Sequence, residues 1–482
     1  MRAVLRTLCC SLAVSAWILT ASAQEPVKLV RLNVAAVDEQ GKPVSDLTAS
    51  DFHIVDEGKQ ETIVLFHSGG FGPATAANPG AFTNRPSPPP HTTVVLFDCF
   101  NHLRSEWLYA AKQVEQSLKQ IDDGGSIYFY VLTPTGDVNP IHPFPDSPGA
   151  APDKTWNQNI ESLLTKEIKS LKARPMGMAD EVVTKKTYVT LETLGKQLAN
   201  YPGRRDIIWI LGGVPYTWKE NTKNPCIGIW VGCGLYAEHL SVNLDLTGTV
   251  VNLLTYTDLD TDKTVDMEAM AQLTGGSLTY GNKGGDIRQA IQQLDQAASA
   301  GYVISYDPSA ANWDNKFHLV KLACDRKGVK LIAKTRYYAL PDSRSAQDRE
   351  MGALRTAFAS PSEISDIGLH ATIAPGQAPN TLKVDLRIDV PDLLLQESGG
   401  QYDGHLTVMF STRSATGPEG PPVGGNLDPH LTKEQHDTYL KDGFPISNEY
   451  PIGSATKFVR LIVADRATDL AGSLTIPVAL PK

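Results

Sequence analysis

Apolar and polar positions alternate in short runs over residues 27–66, broken at Asp38-Glu39-Gln40-Gly41-Lys42-Pro43 and at Asp56-Glu57-Gly58. Period-two runs separated by turn residues predict strands, here a small N-terminal β unit over 24–67. A unit of this size buries little core by itself and needs support from elsewhere. Residues 68–91 are rich in Gly, Pro, Ala and Ser, including Pro88-Pro89-Pro90, and predict a linker. At Thr92 the pattern changes. Continuous apolar runs at 92–97, 127–132, 206–211, 250–256, 276–279 and 302–306 alternate with helical periodicities at 105–121, 156–173, 186–200, 265–273 and 286–299. Strands that are apolar on both faces, alternating with amphipathic helices, predict a doubly wound α/β domain with a mainly parallel sheet over 92–307. Lys316–Cys324 and Lys330–Tyr338 flank Asp325-Arg326-Lys327-Gly328, which predicts a β-hairpin within 308–340. Pairing of that hairpin with the N-terminal strands would supply the missing support. Residues 341–365 read as a polar, partly helical linker. Strand runs at 382–390, 405–410, 458–464 and 473–480, spaced by Gly/Pro turns, predict a C-terminal β-sandwich over 366–482.

Composition adds compartment and partner class. At 482 residues with 41% apolar content the chain has material for more than one core. Residues 1–23 carry Arg2 and Arg6, then the apolar run Leu8 to Leu19, then Ala21-Ser22-Ala23, which is the order of a secretory signal peptide cut before Gln24. The run is shorter than the roughly 20 residues a spanning helix needs, which argues against an anchor, and no later segment is long enough either, so membrane insertion after signal removal is not expected. Cleavage takes two arginines from the 44 basic residues and none of the 53 acidic ones, moving the net charge from −9 to −11. That balance disfavours nucleic acid and anionic membranes as partners. Of the cysteines left in an oxidising compartment, Cys226 and Cys233 enclose the short loop Ile-Gly-Ile-Trp-Val-Gly and are expected to form a local disulfide. Cys99 and Cys324 lie in strand-like runs and are expected as buried free thiols.

The chemistry concentrates where the apolar run Thr92-Thr93-Val94-Val95-Leu96-Phe97 stops on Asp98. A parallel strand followed by a crossover helix delivers such a residue to the crevice where open α/β sheets bind ligands. Asn101, Thr133, Asp137, Asp258 and Asp260 follow strand ends too, and Asp98, Asn101 and Asp258 make up the candidate metal set. Against it stands the commoner use of Asp at a strand end, as a cap or turn former. Gly212 and Gly213 are read as the strand-to-loop turn before Pro215. His102, Tyr216, Trp218 and Trp230 are the candidate partner-binding residues, since exposed aromatics are enriched at binding hot spots, whereas Trp209 reads as core. There is no G-x-S-x-G elbow, H-E-x-x-H, P-loop or G-x-G-x-x-G after a strand.

Several phrases bear on family. Val44-Ser45-Asp46-Leu47-Thr48-Ala49-Ser50-Asp51-Phe52, then Tyr201-Pro202-Gly203-Arg204-Arg205-Asp206-Ile207-Ile208-Trp209-Ile210, then Met270-Ala271-Gln272-Leu273-Thr274-Gly275-Gly276 recur in order along the chain. Gly301-Tyr302-Val303-Ile304-Ser305-Tyr306 and Trp313-Asp314-Asn315-Lys316-Phe317-His318 continue the series. Together, over about residues 27–340, the chain resembles the von Willebrand factor type A-related proteins of the acidobacterial type. The resemblance implies a mostly parallel six-stranded sheet between helices, used chiefly for protein recognition. It also implies a divalent cation held by Asp-x-Ser-x-Ser, a threonine and a second aspartate. Here Asp98 stands at the first position, but Phe100 and His102 stand where the serines would be. Leu211-Gly212-Gly213-Val214-Pro215 stands where the second aspartate would follow the central strand. The cation motif is degenerate.

The leading expectation is an exported, non-enzymatic recognition module, without a cofactor, presenting the loop face of the A-like domain to another protein at the cell envelope. Its location would be periplasmic, cell-surface or secreted; the oligomeric state is not legible. Two alternatives stay open: a Mg²⁺- or Ca²⁺-dependent adhesion module using Asp98 with substitute ligands, and a hydrolase whose triad is assembled only in space.

Overall fold

The computed structural model describes residues 28–68, 81–85, 91–101, 104–119, 127–144, 155–173, 175, 178, 180–199, 201, 204–212, 240, 243–244, 247–255, 268, 271–280, 287–299, 301–308, 313–342, 344–360, 363–415 and 417–478. The signal peptide, His102, Gly213, Tyr216, Trp218, Cys226, Trp230, Cys233, Asp258 and Asp260 lie outside the described residues. No helix among the described residues is long and apolar enough to cross a membrane.

The protein is a mixed α/β chain whose centre is one mixed six-stranded sheet. Its strands are β6 (His91–Asp98), β7 (Ile127–Leu132), β8 (Val138–His142), β9 (Arg204–Leu211), β10 (Thr249–Thr255) and β11 (Leu278–Tyr280), preceded in the chain by β1 to β5 described below. They lie in the order β11-β10-β9-β6-β7-β8, parallel except for β8. The continuous apolar run of β6 follows from burial on both faces. Val95 and Phe97 pack with α1 (Arg104–Leu118), α2 (Ile160–Ser170) and α4 (Ile287–Ser299), while Val94 and Leu96 pack on the side of α3 (Asp180–Leu198). The helices are amphipathic in the matching sense: α1 buries Trp107, Ala110, Ala111, Val114 and Leu118, at helical spacing. Each large side chain buried this way contributes roughly 2–3 kcal/mol.

The strand expected at 302–306 is not in this sheet. β12 (Tyr302–Tyr306) pairs antiparallel with β1 (Val30–Val37) and β4 (Ile63–Ser68) instead. Its tyrosines explain the placement: Tyr302 Oη donates to Val44 O at 2.7 Å and Tyr306 Oη to Asp56 Oδ2 at 3.0 Å, so both reach into the N-terminal core. An apolar run identifies a buried strand without saying which sheet buries it. The sixth strand of the central sheet is β8, whose exposed side and Pro140 suit an antiparallel edge.

β13 (Phe317–Cys324) pairs with β2 (Phe52–Asp56) and with β15 (Arg336–Tyr338), and β14 (Lys330–Ile332) pairs with β1. The expected two-stranded hairpin is therefore divided between two sheets. β2 continues through a turn into β3 (Lys59–Glu61). Leu32, Phe52, Ile54, Tyr302, Ile304 and Val320 share one core, so segments from before and after the α/β domain form a single packed unit.

The 68–91 linker contains β5 (Ala81–Thr83), which pairs with β16 (Leu369–Pro375). Gly/Pro-rich surroundings conceal these three residues from a periodicity reading. β16 also pairs with β17 (Thr381–Ile388), which pairs with Phe444–Pro451. A second sheet is built on Leu406–Ser414, Phe458–Asp465 and Ala471–Pro477. The two share a core that includes Leu386, Ile388, Phe410, Leu461 and Ile476. Helix α5 (Ala346–Ala359), capped by Ser345 Oγ accepting the Asp348 N–H, lays Leu354 and Ala357 against Ile462 and Ala471.

Candidate functional site

The strand order runs outward from β6 in both directions, so the chain reverses its winding between β6 and β9. Open α/β sheets bind ligands at the carboxyl ends of such neighbours. Asp98 sits there, fully buried. Its Oδ1 accepts the backbone N–H groups of Phe100 at 2.7 Å and Asn101 at 2.8 Å. Its Oδ2 accepts Asn101 Nδ2 at 2.6 Å and the Trp209 indole N–H at 2.9 Å. Four donors on two oxygens use the acceptor capacity of a carboxylate. Desolvation pushes the Asp98 carboxyl up from its ordinary value, against the opposing pull of those hydrogen bonds.

Asn101 Nδ2 also donates to Thr187 Oγ1 at 3.0 Å on α3, while its Oδ1 is buried without a hydrogen-bond partner. Phe100 is buried in the α3-side core rather than standing at the surface as a hydroxyl would. Thr133 and Asp137 are occupied in their own turn. Thr133 Oγ1 accepts the Asp137 N–H at 3.1 Å and Thr135 Oγ1 donates to Asp137 Oδ2 at 2.6 Å. Gly136 closes this turn at φ 78°, where an added Cβ would stand 2.4 Å from Lys186 Cδ and 3.1 Å from the Phe100 ring.

Beside the turn is a groove of about 670 Å³ that sequence reading missed. Its wall is the outer stripe of α3, Val182, Lys186, Val189 and Thr193, spaced to share one helix face, and Asp137 and Val138 close the other side. Val138, Val182 and Val189 are 37%, 44% and 52% exposed. Lys186 Nζ donates to Thr135 O at 2.6 Å, fixing the helix to the turn. The signal was present in the sequence: α3 carries apolar residues on two faces, and only one can pack on the sheet.

Trp209 is wholly buried in the core. Among the described cysteines, Cys99 is buried and free and Cys324 is half-buried and free. Desolvation pushes the Cys99 thiol far up, away from nucleophile chemistry.

No family model matches the chain, and no curated protein matches it. Among solved structures it is similar to a von Willebrand factor type A protein from Catenulispora acidiphila, at 11% identity and a TM-score of 0.29, over 69% of this chain and 82% of that one. A mutant of the PilB minor pilin from Streptococcus sanguinis aligns at 11% identity and a TM-score of 0.29, over 44% of this chain and 61% of the pilin. The pilus adhesin SpaC from Lactobacillus rhamnosus GG aligns at 9% identity and a TM-score of 0.28, over 92% of this chain and 57% of the adhesin. The chain thus spans less than two thirds of the pilin and adhesin chains. Overlaps at these scores fix neither fold nor function.

Proposed function

We propose that the chain is an exported, non-enzymatic protein-recognition module of the von Willebrand A type, with a degenerate cation motif. The flanking units, the C-terminal two-sheet unit read as a β-sandwich, position the domain so that its loop edge meets another protein at the cell envelope. The observation that carries this reading is the groove beside α3, where exposed valines at helical spacing adjoin the carboxyl edge of the sheet. Exposed apolar side chains gathered in one concave patch mark interaction sites more often than scattered ones do.

The divalent cation implied by the resemblance does not fit the residues present. Mg²⁺ bound by Asp98 would have to displace a protein donor from whichever carboxylate oxygen it used, since each already accepts two, and Phe100 offers no oxygen in exchange. We read Asp98 as the clamp that joins the end of β6 to Trp209 on β9. No specific observation favours the hydrolase alternative: the aspartate contacts of His53, His91, His318, His370, His405 and His430, at 2.7–3.1 Å, serve structural pairs as readily as the orienting half of a triad.

Proximity labelling in the native cell tests the reading, comparing the wild type with a Val182→Asp/Val189→Asp variant of unchanged melting temperature. A defined set of envelope proteins labelled by the wild type and lost with the variant is expected. Identical labelling by both proteins would remove the groove as the recognition surface.

A further inference from the structure

In the N-terminal β unit, β2 ends on Asp56 opposite Val320 of β13, and His318 lies two residues before Val320, so its side chain shares the sheet face of Asp56. Glu57 follows Asp56 in the turn to β3, at φ 45°. Asp56, Glu57 and His318 can each offer a ligand atom such that all three atoms lie within 4.8 Å of one another.

Two of the three carry a buried atom with no hydrogen-bond partner, and the surrounding bonds account for which atom that is. Tyr306 and Tyr337 both donate to Asp56 Oδ2, at 3.0 and 2.8 Å, leaving Oδ1 buried and unpartnered in a residue only 5% exposed. His318 Nε2 lies 3.1 Å from Asp314 Oδ1, while Nδ1 is buried and unpartnered. A proton on Nε2, donated to the carboxylate, leaves Nδ1 with a free lone pair; metal-binding histidines have this carboxylate–imidazole arrangement. Glu57 Oε1 accepts the Leu319 N–H at 2.6 Å, which holds the second carboxylate beside the other two groups. Leaving a buried carboxylate oxygen and a buried imidazole nitrogen unsatisfied is costly unless something coordinates them.

The geometry points to a divalent metal site formed by Asp56, Glu57 and His318, of the imidazole-and-carboxylate class that Zn²⁺ occupies. Ligand atoms around tetrahedral Zn²⁺ stand about 3.3 Å apart, as metal–ligand bonds near 2.0 Å require. Glu57 is exposed, so closing the difference takes a shift of its side chain about the bond from the Leu319 N–H. The ion would join β2 to β13 across the inserted α/β domain, between residues 262 apart in the chain at the Glu57–Leu319 contact. Its role there is to hold the divided β unit shut.

The test is Zn²⁺ binding to the full-length protein with its thiols blocked, followed by metal analysis, calorimetry and thermal melting. About one ion per chain and a rise in melting temperature are expected. Glu57→Gln, an exposed and nearly isosteric change, should weaken binding by about tenfold or more, as should Asp314→Asn through the orientation of His318. His318→Ala should abolish binding, with His370→Ala as a control that leaves it intact. No bound Zn²⁺ in the folded wild type, or unchanged affinity in both Glu57→Gln and His318→Ala, would overturn the site.

Discussion

At the residue scale, Asp98 shows how far local sequence reaches. That an acid stands at a strand's carboxyl end is legible, because the apolar run stops on it and a helical pattern follows. That its oxygens are already taken is not, because the deciding donor is the indole of Trp209, 111 positions away. The same geometry sets what substitution should do. Asp98→Ala strands two backbone N–H groups and an indole N–H in a fully buried site, and should cost about 3–5 kcal/mol. Asp98→Asn keeps one acceptor oxygen but turns a second donor toward Trp209 and Asn101, and should cost less, about 2 kcal/mol. Urea unfolding measures both. If Asp98 were instead a ligand, the loss in the alanine variant would vanish in metal-free buffer, since only the bound form of the wild type would be more stable.

At the element scale, the alternation of apolar strands with amphipathic helices makes the mixed six-stranded sheet readable, and pairing is where reading stops. β8 is short, one-sided and contains Pro140, so it lacks the signal of a buried strand. β12 has that signal and belongs elsewhere, because tyrosine hydroxyls that need partners find them in the N-terminal unit. Glycines separate local from tertiary demands in the same way. At Gly276, before β11, an added Cβ would stand 2.1 Å from Val251 O on β10, and backbone cannot yield there. Gly276→Ala should therefore cost about 3 kcal/mol or more and loosen the β10–β11 edge. Gly352, inside α5, has nothing within 4 Å of an added Cβ. Gly352→Ala should stabilise by about 0.5–1 kcal/mol through helix propensity. Equilibrium denaturation of the pair separates the effects; a stable Gly276→Ala protein would show that the edge strand is not packed as described.

At the scale of the whole molecule, the chain leaves each unit and returns to it. β1 to β4 are completed only by β12 to β15, after the α/β domain. Residues 81–85, far upstream, fasten onto the C-terminal sheets. Asn84 is the centre of that fastening: buried, it donates through Nδ2 to Ile364 O and Ile367 O, both at 2.8 Å, and accepts the Leu369 N–H at 2.7 Å. Arg85 beside it pairs with Asp389 at 3.0 Å and with Asp392, whose other oxygen lies 3.2 Å from His67 of β4. One short segment thus adds side-chain bonds to the main chain at and just before β16 and ties two units through a shared carboxylate. None of this was legible, since a five-residue segment in Gly/Pro-rich sequence has no period and its partners lie about 280 positions away. Asn84→Ala would leave the Leu369 N–H and the Ile367 carbonyl without the partner they have in Asn84, Ile364 O keeping the Ser473 N–H, while touching nothing in the α/β core. In the full-length protein, hydrogen exchange over 364–371 should accelerate by about tenfold or more, as local opening becomes cheaper by more than about 1.4 kcal/mol, while the amides of β6 and β9 keep their protection. Uniform acceleration across both units would mean that Asn84 supports global stability rather than a local clasp, and unchanged exchange at Leu369 would mean that the segment is not its partner.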